Sequence, residues 1–386
     1  MTVARRLALV FPGFEPIPVE AHCARFVREA KKNAPVFDMK VETSEPAFAR
    51  EGVSTAGFTV HASGEDWRTD TEIVLYGLDD LNDAYAERGG VLRTLAGLAA
   101  LADFVVTGTF FRFVRTSWRY GLFFLYPVAL LLAALLIGVL VARFLPGDRE
   151  FRWVAGLIAF VLALWLASLK MHFLLMMDDW ACARDIARGG SSDIGERIGL
   201  IAADIRRRIE ATDADEILLA AHSFGAITAI LALESAIRHR QPQAEIGLLT
   251  TGSSLLKVAL HPAATKLREA VAAIVASPVA WIDVQSLTDP INFYGSDPKK
   301  ALGIAAGNGP RILHVRFRSQ LGESTYRAIK YNFFRVHRQF VYASEKRTGY
   351  SFHAILCGPQ PLSEIAAHGG LASHWPAHEA PERLGS

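Results

Sequence analysis

The chain has 386 residues, of which 51% are apolar and only 21% are charged. Its 41 Lys and Arg residues nearly balance 39 Asp and Glu residues, unlike the strongly basic composition of a nucleic-acid-binding domain. Abundant core-forming residues exclude a disordered chain, and three widely spaced cysteines exclude a disulfide scaffold. We therefore expect a folded protein of a reducing compartment, with no nucleic acid as a partner.

Residues 1–90 alternate short apolar runs with one amphipathic segment. The segment 19–32 predicts a helix, and the runs predict strands at 7–11, 36–43, 57–62 and 71–76. This alternation indicates the first part of an α/β domain. The next segment, 91–118, is apolar but is interrupted by charges, which predicts an amphipathic helix at the membrane surface or against the helices that follow.

Residues 119–177 contain the longest apolar segments of the chain. Residues 120–142 carry no charge, and at about 1.5 Å per residue they can span a hydrocarbon core of about 30 Å. The second segment, 153–169, is shorter, but a snorkelling Lys170 would extend it to Met177. A short Pro-Gly link joins them, so we predict a transmembrane hairpin with the bilayer as partner. The alternative is a pair of buried core helices in a soluble protein.

The amino-terminal residues do not resemble an export signal. Only five apolar residues, 7–11, follow two arginines before a Pro-Gly pair, whereas a signal peptide needs about seven. The absence of such a signal and of paired cysteines favours a cytoplasmic main domain, held at the membrane by two spans.

After the hairpin, residues 178–368 again alternate apolar strands with helical segments, which predicts a mainly parallel sheet flanked by helices. The predicted strands are 216–221, 245–250, 280–284 and 311–317, and the predicted helices are 193–210, 224–238, 263–276, 323–334 and 336–346. Residues 303–309 are rich in glycine and predict a flexible loop near the site. Residues 369–386 predict a flexible tail.

A nucleophile elbow is predicted where the strand 216–221 meets the helix 224–238. The residues AAHSFGA at 220–226 place Ser223 between small neighbours on a sharp strand-to-helix turn. Alanine stands at the first position of the usual Gly-x-Ser-x-Gly pattern, where only a small side chain is needed. The alternative is a serine that simply caps a helix.

A serine nucleophile needs a base that is itself oriented by a carboxylate. The acidic candidates downstream of Ser223 are Asp283, Asp289 and Asp297, and the histidine candidates are His314, His337 and His353. Upstream, the strand 7–11 ends in a Pro-Gly loop that is followed by a helix. A glycine in such a loop lets the backbone approach a reacting group closely.

The elbow and the order of these residues resemble the α/β-hydrolase superfamily, in particular its lipase- and esterase-like members. In that family the acid follows the second strand after the elbow and the histidine follows the next strand. The resemblance therefore implies a triad of Ser223, Asp289 and His337, with the other candidates as alternatives.

The same resemblance implies an oxyanion hole formed by the backbone N–H groups of Phe224 and Phe14, with Gly13 as the alternative to Phe14. It implies an acyl-enzyme intermediate and no cofactor or metal. The chain departs from the family at two points. Antiparallel strands that often open the fold are expected to be missing, and the large insertion precedes the elbow.

The sequence thus predicts a membrane-anchored serine hydrolase that cleaves carboxylic esters of lipids or other apolar acyl substrates. Four aromatic side chains are candidates for the acyl pocket: Phe11, Phe14, Phe224 and Phe333. Thioesterase, amidase or acyltransferase chemistry would use the same triad. A further alternative is a membrane-tethered hydrolase fold that serves as a binding or scaffold protein without catalysis.

Overall fold

In the computed structural model, which describes residues 2–50, 52–190, 192–238 and 244–375, nine strands form one sheet. The strands are β1 (Arg5–Phe11), β2 (Lys40–Thr43), β3 (Ala47–Ala49), β4 (Thr55–Ser63), β5 (Arg68–Tyr76), β6 (Glu216–His222), β7 (Glu245–Thr251), β8 (Ala280–Ser286) and β9 (Arg311–Val315). Their order is β2-β4-β5-β1-β6-β7-β8-β9, and β3 pairs with β4.

The sheet is mostly parallel, as the sequence predicts. All pairings from β5 through β1 and β6 to β9 are parallel, whereas β4 is antiparallel to each of its three partners. Every residue of β6 is buried, as expected for a central parallel strand that is covered on both faces. The expectation that antiparallel strands are missing is wrong, because β2, β3 and β4 supply them after β1 rather than before it.

The described residues form eighteen α-helices, some of which cover the two faces of this sheet. They are α1 (Val19–Asn33), α2 (Asp79–Ala86), α3 (Gly90–Val106), α4 (Thr109–Thr116), α5 (Trp118–Phe124), α6 (Tyr126–Phe144), α7 (Arg149–Met171), α8 (Phe173–Ala187), α9 (Ser192–Ala211), α10 (Gly225–Ile237), α11 (Leu255–Ala259), α12 (Thr265–Ala276), α13 (Pro298–Ala301), α14 (Phe317–Gln320), α15 (Glu323–Ile329), α16 (Phe333–Arg338), α17 (Phe352–Cys357) and α18 (Leu362–His368). One core contains buried residues of α3, α8, α9, α10 and α12, and the other contains those of α1, α17 and α18.

Three predicted elements differ from the structure near the chain's ends. The strand predicted at 36–43 begins only at Lys40, because Ala34–Phe37 forms a 3-10 helix. The helix predicted at 323–334 is split into α15 and α16, since Asn332 caps a new helix by accepting the Arg335 N–H. The helix predicted at 336–346 is wrong: α16 ends at Arg338 and only a 3-10 turn, Gln339–Val341, follows.

The described residues contain two helical stretches that are long and apolar enough to cross a membrane, Trp118–Phe144 and Arg149–Met171. They lie in the chain between β5 and β6. The two helices approach closely at Gly138 and Gly156, where a Cβ on either glycine would lie within 3 Å of the other's carbonyl oxygen. Their leucines and isoleucines are largely exposed, which is typical of a surface that faces lipid. These lengths and compositions fit the predicted hairpin.

The second apolar helix ends earlier than the sequence predicts. His172 adopts a left-handed backbone with φ +59°, which ends α7 at Met171 and starts α8 in a new direction. Phe173 and Met177 are fully buried in the globular core. The extension of the second span to Met177 is therefore wrong, because these residues pack against protein.

The predicted amphipathic segment forms two helices, α3 and α4, that are bent by 75°. Counted as one broken span, this pair would be a third candidate to cross a membrane. Helix α3 packs along α8, where a Cβ on Gly97 would lie 2.4 Å from the Met177 sulfur. Val91, Leu92 and Val106 on the same helix are exposed.

Two predicted flexible segments are packed where the structure describes them. The Trp375 ring lies against Phe37 and Trp67, so the predicted tail is ordered up to that residue, and 376–386 lie outside the described residues. The glycine-rich stretch 303–309 packs on the end of α12, where the Asn308 N–H donates to the Val275 carbonyl. It does not line the cavity described below.

A buried ion pair joins the centre of the sheet to the carboxy-terminal helices. The Arg6 Nε atom on β1 lies 2.5 Å from Glu216 Oε2 on β6, and both side chains are almost completely buried. The remaining Arg6 N–H groups donate to the carbonyl oxygens of Leu356, Gly358 and Gln360. Removing one member would leave the other charge buried without a partner.

Replacing Arg6 by methionine therefore tests how much this pair supports the fold. We expect Arg6→Met to lower the free energy of unfolding by about 3–5 kcal/mol, because Glu216 loses its partner in the core. The matched control is Arg5→Met, which removes an exposed ion pair with Asp213 and should cost less than about 1 kcal/mol. Unfolding of the purified proteins in detergent measures both free energies. Equal losses in Arg6→Met and Arg5→Met would contradict a supporting role of the Arg6–Glu216 pair in the fold.

Candidate functional site

The turn between β6 and α10 holds Ser223 in an unusual backbone conformation. Its φ is +54°, a left-handed value that a residue with a side chain rarely adopts and that costs about 1 kcal/mol or more. Two hydrogen bonds maintain it: the Ser223 N–H donates to the Thr251 carbonyl at 2.9 Å, and the Ser223 carbonyl accepts the Ser254 N–H at 3.1 Å. Such strain between strand and helix is the backbone geometry expected of a nucleophile elbow.

The loop after β1 lies directly against this turn. A Cβ on Gly225 would lie 2.3 Å from the Pro12 carbonyl oxygen, and one on Gly13 would lie 3.1 Å from the Ser223 Cβ. Glycine at both positions therefore permits the close approach that the sequence analysis expects of an oxyanion loop.

The two predicted oxyanion donors lie on either side of this contact. The rings of Phe14 and Phe224 pack at a centroid distance of 5.5 Å. Within the described part of the chain, neither backbone N–H group has an acceptor. Both groups are therefore unpaired, as the donors of an oxyanion hole must be before substrate binds.

Asp289 and His337 are 48 residues apart in the chain and meet beside the elbow. The His337 Nδ1 atom lies 2.7 Å from Asp289 Oδ2, and both side chains are almost completely buried. The other carboxylate oxygen of Asp289 accepts the Ile291 N–H at 3.0 Å, and Asn292 donates to the Asp289 carbonyl. This loop after β8 therefore fixes the carboxylate that orients the imidazole.

Ser223 and His337 line the same cavity, but they are not hydrogen-bonded to each other. Within the described part of the chain, His337 Nε2 is buried without a partner. The Ser223 hydroxyl lies 3.4 Å from the Ser254 hydroxyl instead. Catalytic hydrogen bonds are often long or absent when no substrate is bound, so the arrangement remains compatible with a serine–histidine pair.

The alternative acids lie away from this cavity. Asp283 is buried in β8, where Thr250 donates to it at 2.6 Å and Gln285 at 2.8 Å. Its burial raises the pKa of the Asp283 carboxyl to about 6. Asp297 caps α13 by accepting the Lys300 N–H. Among the described residues, neither carboxylate has a histidine as a hydrogen-bond partner.

The alternative histidines, His314 and His353, also lie away from the cavity. His314 is exposed on β9, where its ring contacts Tyr294 at a centroid distance of 5.0 Å. His353 lies on α17, and its burial against Phe26 lowers its pKa to about 3. Neither side chain lines the cavity that contains Ser223.

A second histidine, not predicted from the sequence, lies at the site. His222 is completely buried, and its ring lies 4.7 Å from the His337 ring. Its Nε2 lies 3.1 Å from the His337 carbonyl oxygen, which can only accept, so Nε2 carries the hydrogen. Burial and the neighbouring His337 hold the pKa of His222 well below its usual value. Its place just before Ser223 was the available signal.

The cavity has a volume of about 270 Å³ and a mostly apolar wall. Much of that wall comes from the foot of the apolar hairpin: Tyr120, Phe123 and Phe124 of α5, and Leu175 and Met176 of α8. Of the four phenylalanines predicted for an acyl pocket, Phe14 alone lines it. Phe11 stacks on Tyr76 in the core, Phe224 packs behind Phe14, and Phe334 lines the cavity in place of its neighbour Phe333.

Within the described residues, no group of three or more His, Cys, Asp or Glu side chains is arranged to hold a metal ion. Comparison with known proteins finds no match: no family model, no curated protein and no solved structure resembles the chain significantly. Any statement about function therefore depends on the site itself.

The strain at Ser223 predicts a difference between two variants that both lack the hydroxyl. Glycine adopts a left-handed backbone without penalty, whereas alanine keeps the steric cost of a Cβ. We expect Ser223→Gly to exceed Ser223→Ala in free energy of unfolding by about 1 kcal/mol, which is roughly 2 °C in melting temperature. Thermal unfolding in detergent measures the difference, and identical melting temperatures would contradict a strained turn.

Proposed function

We propose that this protein is a membrane-anchored serine hydrolase of the α/β-hydrolase type that cleaves carboxylic esters of apolar acyl groups. The observation that carries the proposal is the buried pair of Asp289 and His337, 2.7 Å apart, in the wall of the cavity that also contains the strained Ser223. A serine, a histidine and a carboxylate in this order and setting provide a nucleophile, a base and the group that orients the base.

In the proposed reaction, the Ser223 hydroxyl turns from Ser254 toward His337 and attacks the ester carbonyl carbon. His337 Nε2 accepts the serine proton, and the Asp289 carboxylate stabilises the resulting imidazolium through Nδ1. The N–H groups of Phe14 and Phe224 bind the oxygen that becomes negatively charged. The alcohol leaves with the proton from His337, and water then releases the acid from Ser223 by the reverse sequence of proton transfers.

The preference for an apolar acyl group is inferred from the cavity wall. Helix α5 leads directly into the first long apolar helix, and α8 follows directly after the second. Helices α5 and α8 each place aromatic or aliphatic side chains in the cavity wall beside Ser223. These side chains would bury an acyl chain away from water. With the hairpin in a bilayer, the cavity lies at its foot, close to where lipid substrates are found.

Hydrolysis of p-nitrophenyl esters by the purified protein in detergent tests this proposal. Removing the nucleophile in Ser223→Ala should abolish the activity. Replacing the orienting carboxylate in Asp289→Asn should lower kcat by about 10³–10⁴, because the imidazole loses its favoured tautomer. The matched control is Asp283→Asn. Asp283 is a buried carboxyl on β8, the strand that leads into the Asp289 loop, and it contacts neither His337 nor the cavity, so this variant should retain activity.

Two results would contradict the proposal. The first is a folded wild-type protein that hydrolyses none of the esters, which would favour a tethered binding protein instead. The second is an equal loss in Asp289→Asn and Asp283→Asn, which would show that Asp289 acts only through the stability of the fold.

A further inference from the structure

A charged pair interrupts the otherwise apolar side of the cavity. The Lys257 ammonium on α11 forms an ion pair with the Asp179 carboxylate on α8, and the two side chains are only 4% and 13% exposed. Both residues line the cavity that contains Ser223. A charged pair in such a place is costly to desolvate unless its remaining hydrogen-bonding groups also find partners.

The residue before Asp179 forms a similar ion pair that lies outside the cavity. Asp178 on the same helix pairs with Arg93 of α3, and neither residue lines the cavity. That ion pair joins α8 to α3 away from the site. The Lys257–Asp179 pair differs because its hydrogen-bonding groups border space that a ligand can occupy.

The pair has hydrogen-bonding capacity that the protein leaves unused. An ammonium group has three N–H donors, and within the described residues Asp179 is the partner that Lys257 has. Burial lowers the pKa of Lys257 to about 7, so additional acceptors would stabilise its charged form.

The pair lies close to Ser223 in the cavity wall. Ser254, whose hydroxyl lies 3.4 Å from that of Ser223, immediately precedes α11. Lys257 follows three residues later, a rise of about 4.5 Å along the helix. The pair is therefore close enough to contact a group attached to the ester, while the aromatic wall from α5 is available for the acyl chain.

The charged residues of the cavity wall indicate which kind of polar group a substrate could place beside the pair. The charged residues that line it are two acids, Glu15 and Asp179, and two bases, Lys257 and Arg338. An anionic group would meet the Asp179 carboxylate, and a cationic group would meet the Lys257 ammonium. A hydroxyl group can accept from the ammonium and donate to the carboxylate at the same time.

We propose that Lys257 and Asp179 bind a neutral hydroxylated alcohol part of the substrate, such as the glycerol of a monoacylglycerol. This inference rests on the proposed function, because it assigns the alcohol side of the ester that Ser223 attacks. It makes the pair a determinant of specificity that takes no part in the chemical step.

Three esters of one acyl chain, presented in the same detergent micelles, test the assignment: a 1-monoacylglycerol, the methyl ester and a lysophosphatidic acid. For the wild-type protein we expect kcat/KM for the monoacylglycerol to exceed that for either other ester by about tenfold or more. The methyl ester lacks the hydroxyl groups that would bind Lys257 and Asp179, and lysophosphatidic acid places an anionic phosphate beside the Asp179 carboxylate.

The variant is the double replacement Lys257→Met with Asp179→Leu, because an apolar pair of similar size usually preserves folding where a single replacement leaves a buried charge. The ratio of kcat/KM between monoacylglycerol and methyl ester should fall toward one. The matched control, Arg93→Met with Asp178→Leu, removes the neighbouring ion pair outside the cavity and should keep the wild-type ratio.

The outcomes separate the two proposals. Hydrolysis of the methyl ester and the monoacylglycerol at equal efficiency by the wild-type protein, or a preference for lysophosphatidic acid, would overturn the role of the pair and leave the hydrolase intact. An equal fall of the ratio in both double variants would also overturn it. Failure to hydrolyse any of the three esters would overturn the hydrolase and this inference with it.

Discussion

The left-handed backbone of Ser223 is the constraint on which the rest of the site depends. It is possible because Gly225 and Gly13 let the loop after β1 approach the turn, and because Thr251 and Ser254 hold the backbone of Ser223 on its other side. The parallel strands β1, β6, β7 and β8 all end at this edge of the sheet. Loops that are far apart in the chain consequently converge around one hydroxyl group.

The apolar hairpin is part of the same site and not a separate appendage. His172 ends the second long helix and turns the chain into α8, whose buried residues belong to the core beneath the sheet. Residues at the start of the first long apolar stretch and just after the second form the cavity wall beside Ser223. Any movement of the hairpin relative to the sheet would therefore change the shape of the cavity.

Short-range patterns explain what the sequence predicts well. Most strands are compact apolar runs bounded by glycine, proline or charged residues. Most of the predicted strand ends therefore lie within a few residues of the observed ends. The spacing of candidate residues relative to those strands was also informative, since the structure brings Asp289 and His337 together and leaves Asp283 and His353 elsewhere. Their catalytic roles remain predictions.

What the sequence could not predict depends on contacts between distant segments. The Lys257–Asp179 pair joins residues 78 positions apart, and neither residue belongs to a local motif. The end of α7 at Met171 is set by the burial of Phe173 and Met177 in a core formed by other elements. The irregular chain after Arg338 is likewise held by tertiary bonds, such as the Ala343 N–H to Glu29.

The most direct test of the account is covalent labelling of the folded protein in membranes with a fluorophosphonate probe, followed by mass mapping of the modified peptide. A serine activated by His337 should form one adduct at Ser223 that is lost in Ser223→Ala and kept in Ser254→Ala, whose hydroxyl lies 3.4 Å away. An unlabelled protein, or an adduct at Ser254, would contradict the central claim that Ser223 is the nucleophile.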